Sequence, residues 1–497
     1  MGDIRRQTIF SSLLIYVGFI FGALNTYLFT REGFFTPDQY GLTQAIIAIN
    51  MTFYAFANFG SVAIMGRFYP VYYGQLKKQN NDLLSLAFLL ATIGLALTIV
   101  GTIIGKPLFV RKFSEKSALL VHYYYWIIPY VCFYVTFCVL EAQAAINKKT
   151  ILSNFLKETA SRMVLTILML LYIFNVISFD VFVKCFSGMY AIVSIALLVF
   201  LVKTGKFHLA PLFSNVTRRL KKRLVEYISY PLFGAIIYNT ALNIDSFTIG
   251  SKLGLSALGV YTLAKYISSV ISVPQRTVAT IAVPYVAQAF KDKRYDEVRR
   301  IYMRSAINLL IIALFVFLNV WINLDDAYQV FHLDKSFESG KYVILILGIA
   351  MLLDMGTGIN GYMLYVSPIW RFEFFNAIIV MAISIPTNYI LVDRYGMIGA
   401  AFSTLFMIFT TNTIRYCYIW YKYKMQPFSI NSLWALLLAL FAYFVSYLLF
   451  NAIHGWSGLI LRSFSFSLIF LAGVIYYQLT PDIKPVLESI QKRFGRR

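Results

Sequence analysis

Charge is what this sequence has least of. Only 13% of its 497 residues are Asp, Glu, Lys or Arg, whereas soluble proteins carry roughly 25%. Acidic residues are the scarcer sign, because 22 Asp and Glu stand against 44 Lys and Arg, for a net charge of +22. The composition is 59% hydrophobic and the mean hydropathy is +0.69. Such a chain is not an ordinary soluble domain, and an integral membrane protein is predicted.

Cysteine and histidine are also few, and neither forms a recognisable site. The cysteines lie in apolar stretches without a CxxC pair, the histidines lack metal-ligand spacing, and neither a G-x-S-x-G motif nor a P-loop occurs. We therefore expect no metal, no catalytic residue and no resident cofactor, and the protein is not expected to be an enzyme. A membrane-embedded polysaccharide polymerase or glycosyltransferase is the less favoured reading, because such an enzyme needs acids or bases on a substantial loop.

Long apolar runs are abundant instead. A hydrocarbon core takes about 20 apolar residues per helix. Fourteen runs meet this need, and the sequence predicts an all-α integral membrane fold with about fourteen transmembrane helices. The predicted spans are 8–29, 40–66, 83–105, 118–146, 151–176, 180–203, 226–250, 256–288, 301–323, 341–366, 372–392, 397–421, 429–451 and 458–479.

Basic residues gather in alternate loops, which indicates the orientation of the spans. Under the positive-inside rule these loops are cytoplasmic, so both termini are predicted on the cytoplasmic side of the membrane. The opposite loops are poorer in Lys and Arg, and one of them holds the pair Asp325 and Asp326. One predicted outer loop is an exception to this pattern, because it contains Lys106, Arg111, Lys112 and Lys116. Topology thus accounts for the positive charge, and no nucleic-acid partner is expected.

The two halves of the chain resemble each other. At a shift of 218 residues Asn25 matches Asn243 and Gly41 matches Gly259, and at a shift of 214 Pro70 matches Pro284. A displacement of six spans keeps the same orientation, so we predict two parallel six-helix bundles. The predicted organisation is an N-terminal lobe at 1–203, a basic cytoplasmic linker at 204–225, a C-terminal lobe at 226–424, and two extra helices with a basic tail at 425–497.

Four fragments carry a family resemblance. They are Asn243-Ile-Asp-Ser-Phe-Thr-Ile-Gly250, Leu258-Gly-Val-Tyr-Thr-Leu-Ala264 and Val283-Pro-Tyr285, with Gly66-Arg-Phe-Tyr-Pro70 in the first half. On a fourteen-helix plan the whole chain resembles the polysaccharide-export (Wzx-like) branch of the multidrug/oligosaccharidyl-lipid/polysaccharide flippase superfamily, abbreviated MOP. The resemblance implies movement of an undecaprenyl-linked, pyrophosphate-bearing oligosaccharide between leaflets for synthesis of surface polysaccharide such as O-antigen. The expected partners are this lipid-linked glycan, the bilayer, and polysaccharide polymerase and chain-length proteins, and the protein is expected to be a monomer.

Charged residues inside spans are costly and are therefore functional candidates. The resemblance implies a central cavity between the two six-helix bundles. A diphosphate pairs with Arg and Lys, so the cations are candidate substrate ligands in this cavity. The acids are candidates for gating or for coupling to protons or sodium. Pro274 is expected to kink the eighth span beside Arg276. Glu158 and Arg162 are spaced to pair with each other, and Asp245 is a candidate partner of Lys265. The cations are Arg67, Lys157, Arg162, Lys265, Arg276 and Arg415, and the acids are Glu158, Asp245 and Asp354.

A drug or cation exporter of the same superfamily is the main alternative. The resemblance implies an embedded acid in the first span of such exporters, and residues 8–29 contain neither Asp nor Glu. The basic set of candidates fits an anionic substrate better. Alternating access is the expected mechanism, and its energy source is left open between protons, sodium, membrane potential and the substrate gradient.

Overall fold

Helices form nearly all of the structure, a computed structural model that describes residues 2–211, 213–369 and 371–483. Within these ranges there is no β-strand. In chain order the helices are α1 (Gly2–Thr30), α2 (Pro37–Ala57), α3 (Ser61–Gln75), α4 (Leu83–Phe113), α5 (Ala118–His122), α6 (Ile127–Ile146), α7 (Thr150–Phe155), α8 (Ser161–Ile173), α9 (Phe179–Lys203), α10 (Asn215–Lys252), α11 (Leu255–Ser269), α12 (Val273–Lys291), α13 (Tyr295–Val330), α14 (Lys341–Gly356), α15 (Asn360–Val366), α16 (Arg371–Tyr423), α17 (Ile430–Phe450) and α18 (Gly455–Tyr476).

The chain is a multi-pass membrane protein. Nine segments of the described ranges are long and apolar enough to cross a bilayer, and the bent pair α2–α3 makes ten. Helix α16 counts once among them, yet its 53 residues would extend about 80 Å, far more than a hydrocarbon core of about 30 Å. Gly396 interrupts it with φ 60° and ψ −138°, between the predicted spans 372–392 and 397–421. The total of fourteen spans remains a prediction.

The chain packs as two compact units that divide between Gly259 and Val260. In unit 1, α6 packs on α9, α2 packs on α10 and α4, and α1 packs on α8. In unit 2, α14 packs on α16, and α13 packs on α14, α17 and α18. This grouping by packing places α10 with the first unit. The division predicted from the repeat, with its boundary at 204–225, is a different criterion and remains a prediction.

The spans that the predicted repeat matches, α2–α3 and α11–α12, each contain an irregular turn, but only α2–α3 is bent by more than 40°. Helices α2 and α3 meet at an angle of 45° across a turn at 58–60, where Gly60 has φ 75°. Helices α11 and α12 are separated by a 3-10 turn, Val270–Ser272. Pro70 lies inside α3 and Pro284 lies inside α12, at the matched positions of the repeat. Pro274 stands in the first turn of α12, where a missing N–H costs nothing, directly after the break.

Two repeat-related glycines make reciprocal contacts inside unit 1. A Cβ on Gly41 would overlap the backbone carbonyl of Leu255, and a Cβ on Gly259 would overlap the backbone carbonyl of Pro37. Leu255 is also Pro37 shifted by 218 residues, so each helix offers the same glycine and the same carbonyl to the other. Such self-complementary pairing is what a local two-fold relation between the two copies produces.

The last two helices, α17 and α18, pack against α13. The Arg462 side chain on α18 forms an ion pair with Asp326 on α13, and both side chains are buried. Asp326 also accepts a hydrogen bond from the backbone N–H of Gly455 at 3.3 Å. Phe315, Phe466 and Phe470 stack beside this pair along the α13–α18 contact. Helix α13 continues past the predicted span 301–323 to Val330, so Asp325 and Asp326 are helical and do not lie in a loop. Their predicted placement on the outer side remains a prediction.

Candidate functional site

A five-residue π-helical segment, Leu156–Ala160, joins α7 to α8 and carries two of the candidate charges. The Lys157 Nζ lies 3.1 and 3.0 Å from the two carboxylate oxygens of Glu141 on α6. Both side chains are partly buried, at 37% and 21% exposure. The π turn offsets the side chains from the regular helical register, and such bulges are frequent at functional sites. Here the segment places the Lys157 ammonium in bidentate reach of the Glu141 carboxylate.

Arg162, on the first turn of α8, connects the same region to α1. Its guanidinium lies 3.2 Å from a Glu158 carboxylate oxygen, so the predicted Glu158–Arg162 pair is present. It also donates to the backbone carbonyl of Gly18 at 2.8 Å. The buried Asn25 donates to the backbone carbonyl of Arg162 at 2.9 Å and accepts from the Thr166 hydroxyl at 2.6 Å. We refer to Glu141, Lys157, Glu158 and Arg162 as the first ionic cluster.

A second polar region lies in unit 2, where α14 ends and α15 begins. Asn412 of α16 donates to the Asp354 carboxylate at 2.9 Å, and its own carbonyl accepts from Thr357 at 2.8 Å and from Asn360 at 2.7 Å. The turn between the helices contains Gly358, with φ 72°. On the other side, the Gln275 amide of α12 donates to the Gly358 carbonyl at 3.0 Å. The break in the helix is therefore held from both α12 and α16.

Arg415 lies one helical turn further along α16 and is paired with Glu373 of the same element. Its Nε and Nη2 atoms donate to the Glu373 carboxylate at 3.1 and 2.8 Å, and the side chains are 22% and 17% exposed. Gly361 gives the guanidinium its space, because a Cβ there would contact it. The Nε and Nη2 donors of Arg415 are thus already bound to Glu373 in the bidentate arrangement that would otherwise suit a phosphate.

The remaining candidates differ in exposure. Arg67 on α3 and Arg276 on α12 are exposed, Lys265 on α11 is half-buried, and Asp245 on α10 is buried. The two exposed arginines stand in the second halves of the two equivalent broken spans. The predicted role of Asp245 with Lys265 remains a prediction.

The sequence interpretation missed two of the three acids that pair with its cations, Glu141 and Glu373. Glu141 and Glu373 lie within the predicted spans 118–146 and 372–392, so the rule that selected embedded cations could also have found them. In the structure three of the six candidate cations, Lys157, Arg162 and Arg415, are paired with carboxylates. The site can therefore be read as two exposed arginines on broken helices and three internally compensated ion pairs, one polar region in each unit.

Comparisons with known proteins agree with this architecture. A family model described as MatE matches residues 231–390, about a third of the chain. No curated protein sequence matches the chain. A lipid II flippase, MurJ, in an inward closed conformation has a similar structure, with TM-score 0.74 and 16% identity over 95% of this chain and 99% of that chain.

Two multidrug transporters are also similar in fold. An inward-facing multidrug resistance MATE family transporter of the MOP superfamily has TM-score 0.62 and 12% identity over 83% of this chain and 94% of its own. The Vibrio cholerae MATE transporter VcmN has TM-score 0.56 and 14% identity over 85% and 97%. The fold of this chain is therefore similar to that of MurJ and of these transporters.

Proposed function

We propose that the protein is a flippase that moves an undecaprenyl-pyrophosphate-linked oligosaccharide across the bacterial cytoplasmic membrane, for surface polysaccharide synthesis. The observation that carries this proposal is the pair of matched spans, α2–α3 with its 45° bend and α11–α12 with its 3-10 turn, each with an exposed arginine in its second half. Interrupted helices at corresponding positions of a repeat are where transporters bind their substrates. Arg67 and Arg276 supply the guanidinium groups that a diphosphate prefers.

Two further observations support a lipid-linked anion over a cationic drug. Residues 8–29 contain no acid, and the similar MurJ structure, which is titled a lipid II flippase, covers 95% of this chain. In the proposed mechanism the two predicted lobes alternate between inward and outward access while the polyprenyl tail stays in lipid. Both termini are placed in the cytoplasm by the positive-inside rule.

Leaflet-specific labelling of lipid-linked glycan in cells tests this function. Loss of a charged hydrogen bond costs about 1.5–3 kcal/mol, so Arg67→Ala and Arg276→Ala should each slow translocation about tenfold or more. Arg276→Lys should keep part of the activity because the charge remains while the bidentate fork is lost. Arg300→Ala, an exposed arginine near the start of α13, is the matched control and should translocate normally. Undiminished labelling in the Arg67→Ala, Arg276→Ala double variant would contradict the proposal.

A multidrug or cation exporter is the second candidate, favoured by the MatE match over 231–390. It predicts that cells expressing the protein extrude cationic dyes, and that loss of the embedded carboxylates Glu141 and Glu158 abolishes extrusion. The flippase predicts no dye extrusion in the same cells. A polymerase would instead elongate the lipid-linked glycan when purified protein is supplied with it, and elongation of this kind would overturn both transporter readings.

A further inference from the structure

An apolar groove in unit 1 runs along one side of α4. Its volume is about 530 Å³, within the range of roughly 300–1,000 Å³ that small-molecule sites occupy. Phe53 and Phe56 of α2 and Leu232 and Ile236 of α10 form its walls. No residue of the first ionic cluster or of the broken-span arginines lines it. The groove is therefore lined by residues other than those assigned to transport.

The floor of the groove is hollow because α4 has glycine there. A Cβ on Gly101 or on Gly105 would meet nothing within 4 Å, so these glycines are not required by close packing of the protein. Gly94, at the deep end, is different, because a Cβ there would overlap the Ala57 carbonyl. Glycine in a helix interior is unfavourable. At Gly101 and Gly105 the glycines have one structural effect, which is to leave the groove open.

The other end of the groove is cationic. Lys112 is part of its lining, and it lies 18 residues, or about 27 Å, beyond Gly94 along the helix axis. Lys106, Arg111 and Lys116 are on the same stretch, with Glu115 as the single acid among them. The Lys106 ammonium lies 4.4 Å from the centre of the Tyr125 ring. The sequence placed these cations in an outer loop, but Lys106, Arg111 and Lys112 lie on the last turns of α4. Their charge disagrees with the positive-inside pattern, so the orientation of the spans does not explain them.

We propose that the groove is a binding site for an anionic phospholipid, with one acyl chain between α2, α4 and α10 and the phosphate headgroup at Lys112. A long apolar channel that ends in cations is complementary to a chain that ends in a phosphate. The groove runs for about 27 Å along the second part of α4, a length that fits one acyl chain with its headgroup better than a long polyprenyl chain. This inference does not depend on the proposed flippase function.

Native mass spectrometry of the full-length protein in detergent tests the site. The probes are palmitoyl-oleoyl phosphatidylglycerol and, as a zwitterionic reference, palmitoyl-oleoyl phosphatidylcholine. Gly101→Leu and Gly105→Leu fill the groove with a side chain that the open space accepts. Gly188→Leu is the matched control, because Gly188 on α9 of the same unit also has nothing within 4 Å of a built Cβ. Lys112→Gln removes the cation of the lining without changing the groove walls.

The wild type and Gly188→Leu should retain one phosphatidylglycerol at equal affinity. Gly101→Leu and Gly105→Leu should weaken retention at least tenfold, and Lys112→Gln should remove most of the preference for phosphatidylglycerol over phosphatidylcholine. Wild-type retention in both groove variants, or equal loss in Gly188→Leu, overturns the site. A copurified polyprenyl phosphate that phosphatidylglycerol does not displace overturns the assignment to a phospholipid. The exposed Lys112→Gln variant keeps the test decisive if a leucine variant does not fold.

Discussion

At the scale of single residues, the embedded charges come in compensated pairs. Lys157, Arg162 and Arg415 each reach a carboxylate within 3.2 Å. A charge inside the membrane is expensive when it stands alone and much less so when it is paired and hydrogen-bonded. The pairs therefore explain how these cations are tolerated, whereas the exposed Arg67 and Arg276 are left to the substrate in the proposed mechanism.

The Glu141–Lys157 pair can be tested by removing one charge and then both. Glu141→Gln should lower the free energy of unfolding by about 1–3 kcal/mol, because the half-buried Lys157 ammonium loses its charged partner. Adding Lys157→Gln should restore part of that loss, since the second change removes the orphaned charge. Thermal unfolding of the purified protein in detergent measures both. Glu32→Gln, the same substitution at an exposed residue between α1 and α2, is the control, and an equal loss there would contradict the role of the pair.

The sequence could reveal which residues are costly but not which residues compensate them. Glu158 and Arg162 are four residues apart on one helical stretch, so their pairing follows from spacing alone. Glu141 and Lys157 are 16 residues apart and Glu373 and Arg415 are 42 apart. Those pairs depend on how neighbouring helices pack and on the π turn at 156–160. Neither property can be predicted from local hydrophobic periodicity.

At the scale of helices, the breaks are as informative as the spans. The apolar runs predicted helical segments because long runs and helical length coincide. The Pro274 break was predictable since proline cannot continue a helical ladder. The interruptions at Gly358 and Gly396 were not, because glycines are common in membrane helices and only the tertiary contacts decide which of them leave the helical conformation.

The reciprocal glycine contact gives a prediction about two equivalent positions. Gly41→Ala and Gly259→Ala should each destabilise the protein by about 1–3 kcal/mol, because the new methyl group overlaps a backbone carbonyl that cannot move aside. The two losses should be similar, since the contacts are equivalent. Chemical or thermal unfolding in detergent measures them.

Gly66→Ala is the control for these variants, because a Cβ on Gly66 in α3 meets nothing within 4 Å. Its effect should stay within about 0.5 kcal/mol or be stabilising, as alanine is the better helix former. A cost at Gly66 as large as at Gly41 would show that helix conformation rather than the carbonyl contact is responsible.

At the scale of the whole molecule, two ion pairs connect the appended helices to α13. Arg462 and Asp326 are at most 5% exposed, whereas Arg304 and Asp482, which follows α18, are 48% and 45% exposed. The contrast lets burial be tested with the same substitution. Arg462→Met should cost about 3–5 kcal/mol because it leaves Asp326 buried without a counter-charge.

Arg304→Met should cost at most about 1 kcal/mol, since exposed ion pairs contribute little. Adding Asp326→Leu to Arg462→Met should recover much of the loss. The measurement is again thermal unfolding, together with proteolysis in the connection 424–429 to report release of α17 and α18. Equal costs for Arg462→Met and Arg304→Met would contradict the assignment of the buried pair as the main fastening.

The contacts of Gly41 and Gly259 also limit which substitutions this sequence can accept over generations. Helices α2 and α11 each present to the other a backbone carbonyl that only a glycine hydrogen can face. We therefore expect any other residue to be rare at Gly41 and at Gly259, so that two sites far apart along the chain share one evolutionary fate.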